Sequence, residues 1–316
     1  MTRLEVEDEG ETKFVLMPMI TLNDDAVETL KIIDHEDQEQ THSVFVKPYH
    51  NCLDMDSQHL TSYIKDHLLV PPSTAEYSFS RPLDQLNKTS LQGEVGQPLE
   101  VDQIVYGGEL KDGFFIEAGA HEFETNSDSL YFELNHNWSG LLVEPNPLAF
   151  HKGLRTNRKV WGVETCLSTT TRPETMWFDM RGSVRNETTR EAMAGLVLEE
   201  NSETVKMQCL PLYSLLLALD NPTVHYLSLD IEGAELPVLK TIPWQKVDIR
   251  VMTVETHLAG RIFPGNREDL IAYLDQVGYR HVSWAHRNTN QARTNMGTTD
   301  DLFVRKDLPL RIKDEL

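Results

Sequence analysis

Between Gly113 and Pro147 the chain reads GFFIEAGAHEFETNSDSLYFELNHNWSGLLVEPNP. The pattern is strand, tight loop, helix, strand and acidic turn. Phe114, Phe115 and Ile116 form a short apolar run of β type. The small residues of Glu117-Ala118-Gly119-Ala120 let backbone come close to another group. Leu130 and Leu134 stand four apart, and Tyr131, Phe132 and Trp138 widen the apolar face of a helix. Gly140 to Val143 is a second strand, with Glu144 at its C-terminal end. Two parallel strands joined by a helix form a βαβ unit, whose ligand belongs at the carboxyl ends of the strands. A carboxylate at that edge can accept hydrogen bonds from both hydroxyls of a ribose. No G-x-G-x-x-G is present, so a plain tight turn and a solvated strand end remain equal readings of the loop and of Glu144.

The rest of the chain extends this unit. Residues 1–58 are an acidic leader, with twelve Asp/Glu and three Lys/Arg in the first forty, and read as solvated and mobile. In 59–112 a helix carries Leu60, Ile64 and Leu68, Pro71-Pro72 stops it, and a polar arm follows. Val101 begins a short helix or strand. The compact domain spans 113–306. After Glu144, Pro147 opens a helix to about Arg155. Val160 to Val163 is a third strand, continuing to Cys166-Leu167-Ser168. Residues 169–204 read as an insertion or lid. Val205 to Leu210 is a short strand, and Pro211 opens a helix through Leu219. Thr223 to Leu229 is a fourth parallel strand, ending in Asp230-Ile231-Glu232-Gly233-Ala234-Glu235 before another helix. Ile249 to Val254 is a fifth, ending in Glu255-Thr256-His257. Asn266 caps a helix closed by Gly278. Residues 279–284 and 301–305 pair without a helix between them, so one of them runs antiparallel. Residues 307–316 are a tail. The expected fold is α/β, a doubly wound, mostly parallel sheet with one antiparallel strand near the C-terminus.

The net charge of −21 repels phosphate backbones and excludes nucleic acid as a partner in the absence of a basic patch. Cys52, Cys166 and Cys209 lie far apart in no zinc-ligating pattern, and no metal site is expected. A disulfide is open to two of them; buried thiols are the favoured state. No run reaches the roughly 18 apolar residues of a membrane span. The apolar run Phe14 to Leu22 follows acidic rather than basic residues, unlike a secretory signal. The chain nevertheless ends Lys313-Asp314-Glu315-Leu316, an endoplasmic-reticulum retrieval address, and carries sequons at Asn87, Asn137 and Asn186. Either the true start is missing or the tail is a coincidence. Endoplasmic reticulum and cytoplasm both stay open.

The blocks FIEAGA, GLLVEPNP, CLS, YLSLDIEGAELPVLK and VMTVETH together resemble the FkbM-type S-adenosylmethionine-dependent methyltransferases over about residues 113–306. The upstream YSFSRPLDQ text is similar to the animal Star-like branch, associated with the endoplasmic reticulum and with trafficking of membrane-bound growth-factor precursors. The resemblance implies a class I (Rossmann-like) methyltransferase fold, S-adenosyl-L-methionine as cofactor, and a hydroxyl substrate on a small molecule, glycan or lipid. It implies that Glu117, Gly119 and Ala120 line the cofactor loop. Glu144 would hold the ribose beside Pro145 and Asn146. Cys166, Leu167 and Ser168 would approach the adenine, and Asp230 and Glu232 would face the reacting methyl.

Asp230, Glu232 and His257 all end strands on the ligand side and are the candidate catalytic residues. His257 suits a base by its intrinsic pKa, with a non-catalytic loop histidine as an equal reading. Glu235 reads as a first-turn acid favoured by the helix dipole.

One departure stands out. The family's second loop glycine is Phe123 here, and its asparagine is Asp128. Phenylalanine does not readily adopt positive φ, and its ring could fill the methionine pocket and weaken the cofactor; a ring turned into the core is the opposing reading. Two functions follow: an O-methyltransferase, or a non-catalytic methyltransferase-like protein handling membrane-protein cargo in the secretory pathway.

Overall fold

The computed structural model describes residues 52–86, 91, 93, 96–179, 195–199, 204–282 and 300–311, together with the backbone of four strands within 2–44. Those four strands are β1 (Thr2–Asp8), β2 (Glu11–Met17), β3 (Glu28–Ile33) and β4 (Glu39–Val44). They pair in sequence order as an antiparallel sheet. The sequons at Asn87 and Asn186 and the terminal Lys-Asp-Glu-Leu lie outside the described residues.

The principal sheet has seven strands. In chain order they are β5 (Phe114–Ala118), β6 (Ser139–Val143), β7 (Trp161–Val163), β12 (Tyr226–Leu229), β13 (Val251–Glu255), β14 (Tyr279–Val282) and β15 (Asp300–Arg305). Their spatial order is β14-β15-β13-β12-β5-β6-β7. β7, β6, β5, β12 and β13 are parallel neighbours, and β15 runs antiparallel to both β13 and β14. The result is an α/β fold with a mixed, mostly parallel sheet, as expected of a methyltransferase-like chain.

Strand alternation explains why both faces are covered. Ile116, Ala118, Leu141, Val143, Leu227, Leu229, Met252 and Val254 belong to one apolar cluster. Their strand neighbours Phe115, Leu142, Tyr226 and Val251 belong to another. Period-two alternation sends successive side chains to opposite faces, so near-continuous apolar strands need cover on both. The first cluster receives Leu212, Leu215 and Leu216 of helix Leu212–Ala218, Leu236 and Leu239 of Glu235–Thr241, and Leu270 and Leu274 of Arg267–Gln276. The second receives Val101 of Gln97–Val101, Leu130 and Phe132 of Leu130–His136, and Phe150 of Pro147–Leu154. Asn266 forms a full capping box with Asp269, which fixes where the last helix begins.

A second sheet contains β8 (Cys166–Leu167), β9 (Glu174–Asp179), β10 (Gly195–Val197) and β11 (Thr204–Leu210), in the order β10-β9-β11-β8. The sequence reading ran Val160 to Ser168 as one strand. The structure divides it, with β7 in the large sheet and β8 in the small one. The expected helix over 59–69 is an α-helix at Gln58–Tyr63 followed by a π-turn at Ile64–Leu68. The stretch after Val101 is also helical, not a strand.

The favoured state of the cysteines is corrected. Cys166 and Cys209 form a disulfide, because the parallel pairing of β8 with β11 sets the two residues opposite each other at a Cα separation of 4.3 Å, within bridging reach. Cys52 is free and exposed. Among the described residues, no helix is long and apolar enough to cross a membrane.

Candidate functional site

A pocket opens at the carboxyl ends of β5, β6 and β12. Its wall includes Gly119, His121, Val143, Glu144, Pro145, Thr165, Cys166, Leu167, Phe178, Leu196, Asp230, Ile231 and Glu232. Of the residues singled out in the sequence, Gly119, Glu144, Pro145, Cys166, Leu167, Asp230 and Glu232 meet here.

Gly119 follows β5 at φ +88°, and a Cβ there would overlap the carbonyl oxygen of Asp230. Only a residue without a side chain lets the two loops touch this way. The amides of Gly119 and Ala120 both donate to the carbonyl of Val143, at 3.0 and 3.2 Å. The loop is thereby pinned to the end of β6, beside Glu144.

Glu144 is buried. One carboxylate oxygen accepts the amide of His121 at 2.8 Å and the other accepts the amide of Asn146 at 2.7 Å. Burial raises its pKa to about 7 against the lowering effect of these two donors, with Glu164 and Glu117 adding to the rise. A carboxylate has about four acceptor positions, so each oxygen keeps a lone pair after its backbone bond. A vicinal diol fits that donor demand. The bare backbone at Gly119 and the paired acceptors of Glu144 therefore fit a ribose-bearing cofactor.

Other sequence candidates stand behind the wall. Glu117 is buried, with one oxygen accepting Asp128 N at 2.9 Å and the other accepting the hydroxyls of Ser127 (2.8 Å) and Ser129. It anchors the 127–129 loop instead of lining the pocket. Ala120 packs into the second core cluster. Asn146 caps helix Pro147–Leu154 by accepting from the amides of Leu148 and Ala149. Ser168 is buried and donates to the carbonyl of Arg172 at 2.6 Å. His257 is half exposed, with Nδ1 2.9 Å from Glu255 Oε1, and does not belong to the wall.

The concern over Phe123 is resolved by the geometry. The residue does adopt positive φ, +67°. Its ring is buried and lies edge-on to Phe150 with centroids 5.5 Å apart. It also covers Gly153, where a Cβ would run into the ring. The ring faces the core and leaves the pocket open, so the expected obstruction is overturned. The unfavourable backbone is held by packing and by Arg158, whose guanidinium donates to Phe123 O at 3.0 Å, to Ser127 Oγ at 2.9 Å and to Ser129 Oγ at 2.9 Å. Asp128, in the asparagine position, accepts from Ser228 Oγ at 2.8 Å. Burial, then Asp300 and Glu117, push its pKa well up.

At the other end of the pocket, Asp230 and Glu232 follow β12. Glu232 has φ +60°, an uncommon backbone for a side chain of its size. Burial, then the charges of Asp300, Glu232 and Glu235, hold the Asp230 carboxyl well above its usual range. Glu255, which ends β13, is pushed up to about 12 by burial and by Asp230. Glu235 is buried at the start of its helix and accepts the amides of Ile231 (2.9 Å) and Gly233 (3.1 Å). It shapes the Asp230–Gly233 turn, beyond the dipole role read from the sequence.

Sequence reasoning missed Arg158, His121 and the apolar wall of Phe178 and Leu196. Arg158 lies in a loop with no motif. Phe178 and Leu196 sit on β9 and β10 within the segment read as an insertion, and only strand pairing brings them to the pocket.

The Methyltransferase FkbM domain model matches residues 117–281, just over half of the 316-residue chain. No curated protein matches the chain. The matched segment contains the end of β5, all of β6 and β12 and every residue of the pocket wall, and the chain belongs to the FkbM methyltransferase domain family.

Proposed function

We propose that this protein is an S-adenosylmethionine-dependent O-methyltransferase that acts on a hydroxyl of a glycan, lipid or small molecule, on a doubly wound class I sheet. The observation that carries the reading is Glu144, whose two oxygens each hold one backbone amide and keep acceptor capacity for a ribose diol. The strand order, with helices packed against both apolar clusters and β15 antiparallel, supports the class I arrangement.

When bound, S-adenosylmethionine supplies a methyl group already made electrophilic by the sulfonium. What remains for the chain is to orient the acceptor, keep water out and take a proton. Phe178 and Leu196 supply apolar wall, which favours a dry site. A neutral hydroxyl is a poor nucleophile, and a positioned base adds roughly 10²–10⁴-fold. Glu232 is the pocket carboxylate for that role, presented by its unusual backbone. Asp230, whose carboxyl pKa is pushed well up by burial and the neighbouring acids, positions the acceptor oxygen. His257 acts at one remove, through Glu255.

Incubation with methyl-labelled cofactor and a panel of glycan, lipid and small-molecule hydroxyls tests the reading. Transfer to one class is expected, reduced by at least a hundredfold in Glu232→Gln. Label transfer unaffected by Glu232→Gln would remove that residue from the mechanism, and no transfer to any hydroxyl class would count against the activity.

A second reading is favoured by the Cys166–Cys209 disulfide. Disulfides persist in oxidising compartments, which fits the lumen of the secretory pathway. There the chain would serve as a Star-related, non-catalytic protein of membrane-cargo trafficking. Crosslinking in cells separates the two: membrane cargo captured equally by the wild type and by Glu144→Ala supports this reading, and no cargo contradicts it.

A further inference from the structure

Asn137 is the C-cap of helix Leu130–His136, and Asn137-Trp138-Ser139 is a sequon that the functional site does not use. The turn sorts the three side chains. Trp138 is buried, stacks on Phe132 with centroids 4.3 Å apart and donates through Nε1 to Leu110 O at 3.0 Å. Asn137 and Ser139, on either side of it, are exposed. Asn137 has φ +55°, a left-handed backbone that asparagine accepts more readily than most side chains. That cap explains the asparagine. It does not call for a hydroxyl two residues on, and Ser139 Oγ stands at a long 3.5 Å from Gly113 O.

The surroundings suit a bulky polar attachment. Lys111, Asp112 and Asn135 beside the turn are exposed as well. Asn137 Nδ2 donates to Asp112 Oδ1 at 2.6 Å. A primary amide carries two N–H donors, so one can be replaced while the other keeps this bond. The turn also precedes β6, whose far end leads to Glu144. Five strand residues separate the two ends by about 13 Å, so the sequon lies at the opposite edge of the sheet from the pocket. Independently, the Cys166–Cys209 bridge fits an oxidising compartment, where sequons on surface loops are modified.

We propose that Asn137 is a site of N-linked glycosylation. The donor is a lipid-linked diphosphate oligosaccharide. A bond forms between Asn137 Nδ2 and the anomeric carbon of the first sugar, and the bond from that carbon to the phosphate oxygen breaks. The lipid diphosphate leaves, and Nδ2 gives up one proton. The inference rests on the lumenal placement favoured by the disulfide, and it holds for an enzyme or a cargo-handling protein there. A glycan on Asn137 keeps the amino edge of the sheet in water. It leaves the carboxyl edge, with the pocket, as the face that meets a substrate or a partner.

The test reads the modification itself. The full chain is expressed in cells with a secretory pathway, purified, and treated with peptide N-glycosidase in heavy-oxygen water, which turns a glycosylated asparagine into a labelled aspartate. Peptide mass spectrometry then reads position 137. We expect label there in the wild type, its loss in Ser139→Ala, and its return in Ser139→Thr, which restores the sequon. Both variants keep Asn137 and its bond to Asp112, and Ser139→Ala gives up only the long contact with Gly113. The wild-type measurement alone decides the proposal if a variant misfolds. No label at position 137 would overturn it, and so would label that persists in Ser139→Ala, which would mark simple deamidation. Protease protection of sealed microsomes and alkylation of free thiols score the lumenal placement separately. A protected, disulfide-bonded chain with unlabelled Asn137 sinks the glycan and leaves that placement standing; a chain digested outside the membranes contradicts both.

Discussion

Gly119 and Asp230 meet through backbone alone. The carbonyl of Asp230 occupies the place a Cβ on Gly119 would take, and the amide of Asp230 donates to Ala118 O at 3.0 Å. The loops after β5 and β12 are thus held at contact distance. Gly119→Ala adds a methyl group at positive φ and must part them. The expected cost is about 3 kcal/mol, from the left-handed backbone and from overpacking. Denaturant unfolding should show this loss together with loss of cofactor binding.

Phe123→Gly should not improve the cofactor site. The ring packs on Phe150 and Gly153, outside the pocket wall. Emptying that space costs about 3–5 kcal/mol, offset by roughly 1 kcal/mol from relief at φ +67°. A net destabilisation of about 3 kcal/mol with unchanged cofactor affinity is expected. A tenfold gain in affinity would show that the ring obstructs the site after all.

Glu144 gives opposite pH dependences for folding and binding. Its folded pKa is raised to about 7 by burial, above that of an unfolded glutamate. The folded chain therefore holds a proton that the unfolded chain releases. The stability this group contributes is complete below the unfolded value and is lost as pH rises through about 7. Acceptance of ribose hydroxyls needs the ionised form, so cofactor affinity should rise over the same interval. Calorimetry from pH 6 to pH 8 should show tightening in the wild type and none in Glu144→Gln.

Reduction of Cys166–Cys209 should destabilise the fold and loosen the pocket together. The bridge spans 43 residues, and loop-closure entropy sets its contribution at up to about 4 kcal/mol. Cys166 and Leu167 also line the pocket. Unfolding with and without reductant, alongside the Cys166→Ser/Cys209→Ser variant, should show the same loss of stability and a weaker cofactor titration. Equal stability in both redox states would contradict the coupling.

The sequence made some of this legible and hid the rest for physical reasons. The strands β5, β6, β12 and β13 were readable because their apolar runs are closed by Glu117, Glu144, Asp230 and Glu255, at or next to the carboxyl end of each strand. Pro147, Pro211 and Asn266 marked helix starts by local rules that tertiary contacts did not override. Pairings between distant segments had no local signature. Cys166 and Cys209 meet only because β8 and β11 pair in parallel. Asp230 and Glu255 become neighbours only because the ends of β12 and β13 lie side by side. The direction of the Phe123 ring was set by Phe150, Gly153 and Arg158, three contacts that no spacing rule connects to it.

The central claim is that the pocket around Glu144 holds S-adenosylmethionine. Calorimetric titration of the folded protein with S-adenosylmethionine and S-adenosylhomocysteine at pH 8 addresses it most directly, with thermal shift on the same samples. The account predicts saturable binding of both, a stabilisation of about 2.7 kcal/mol at one hundred times the Kd, and loss of both signals in Glu144→Ala. Folded protein that binds neither ligand at millimolar concentration, or binds them undiminished in Glu144→Ala, would contradict it.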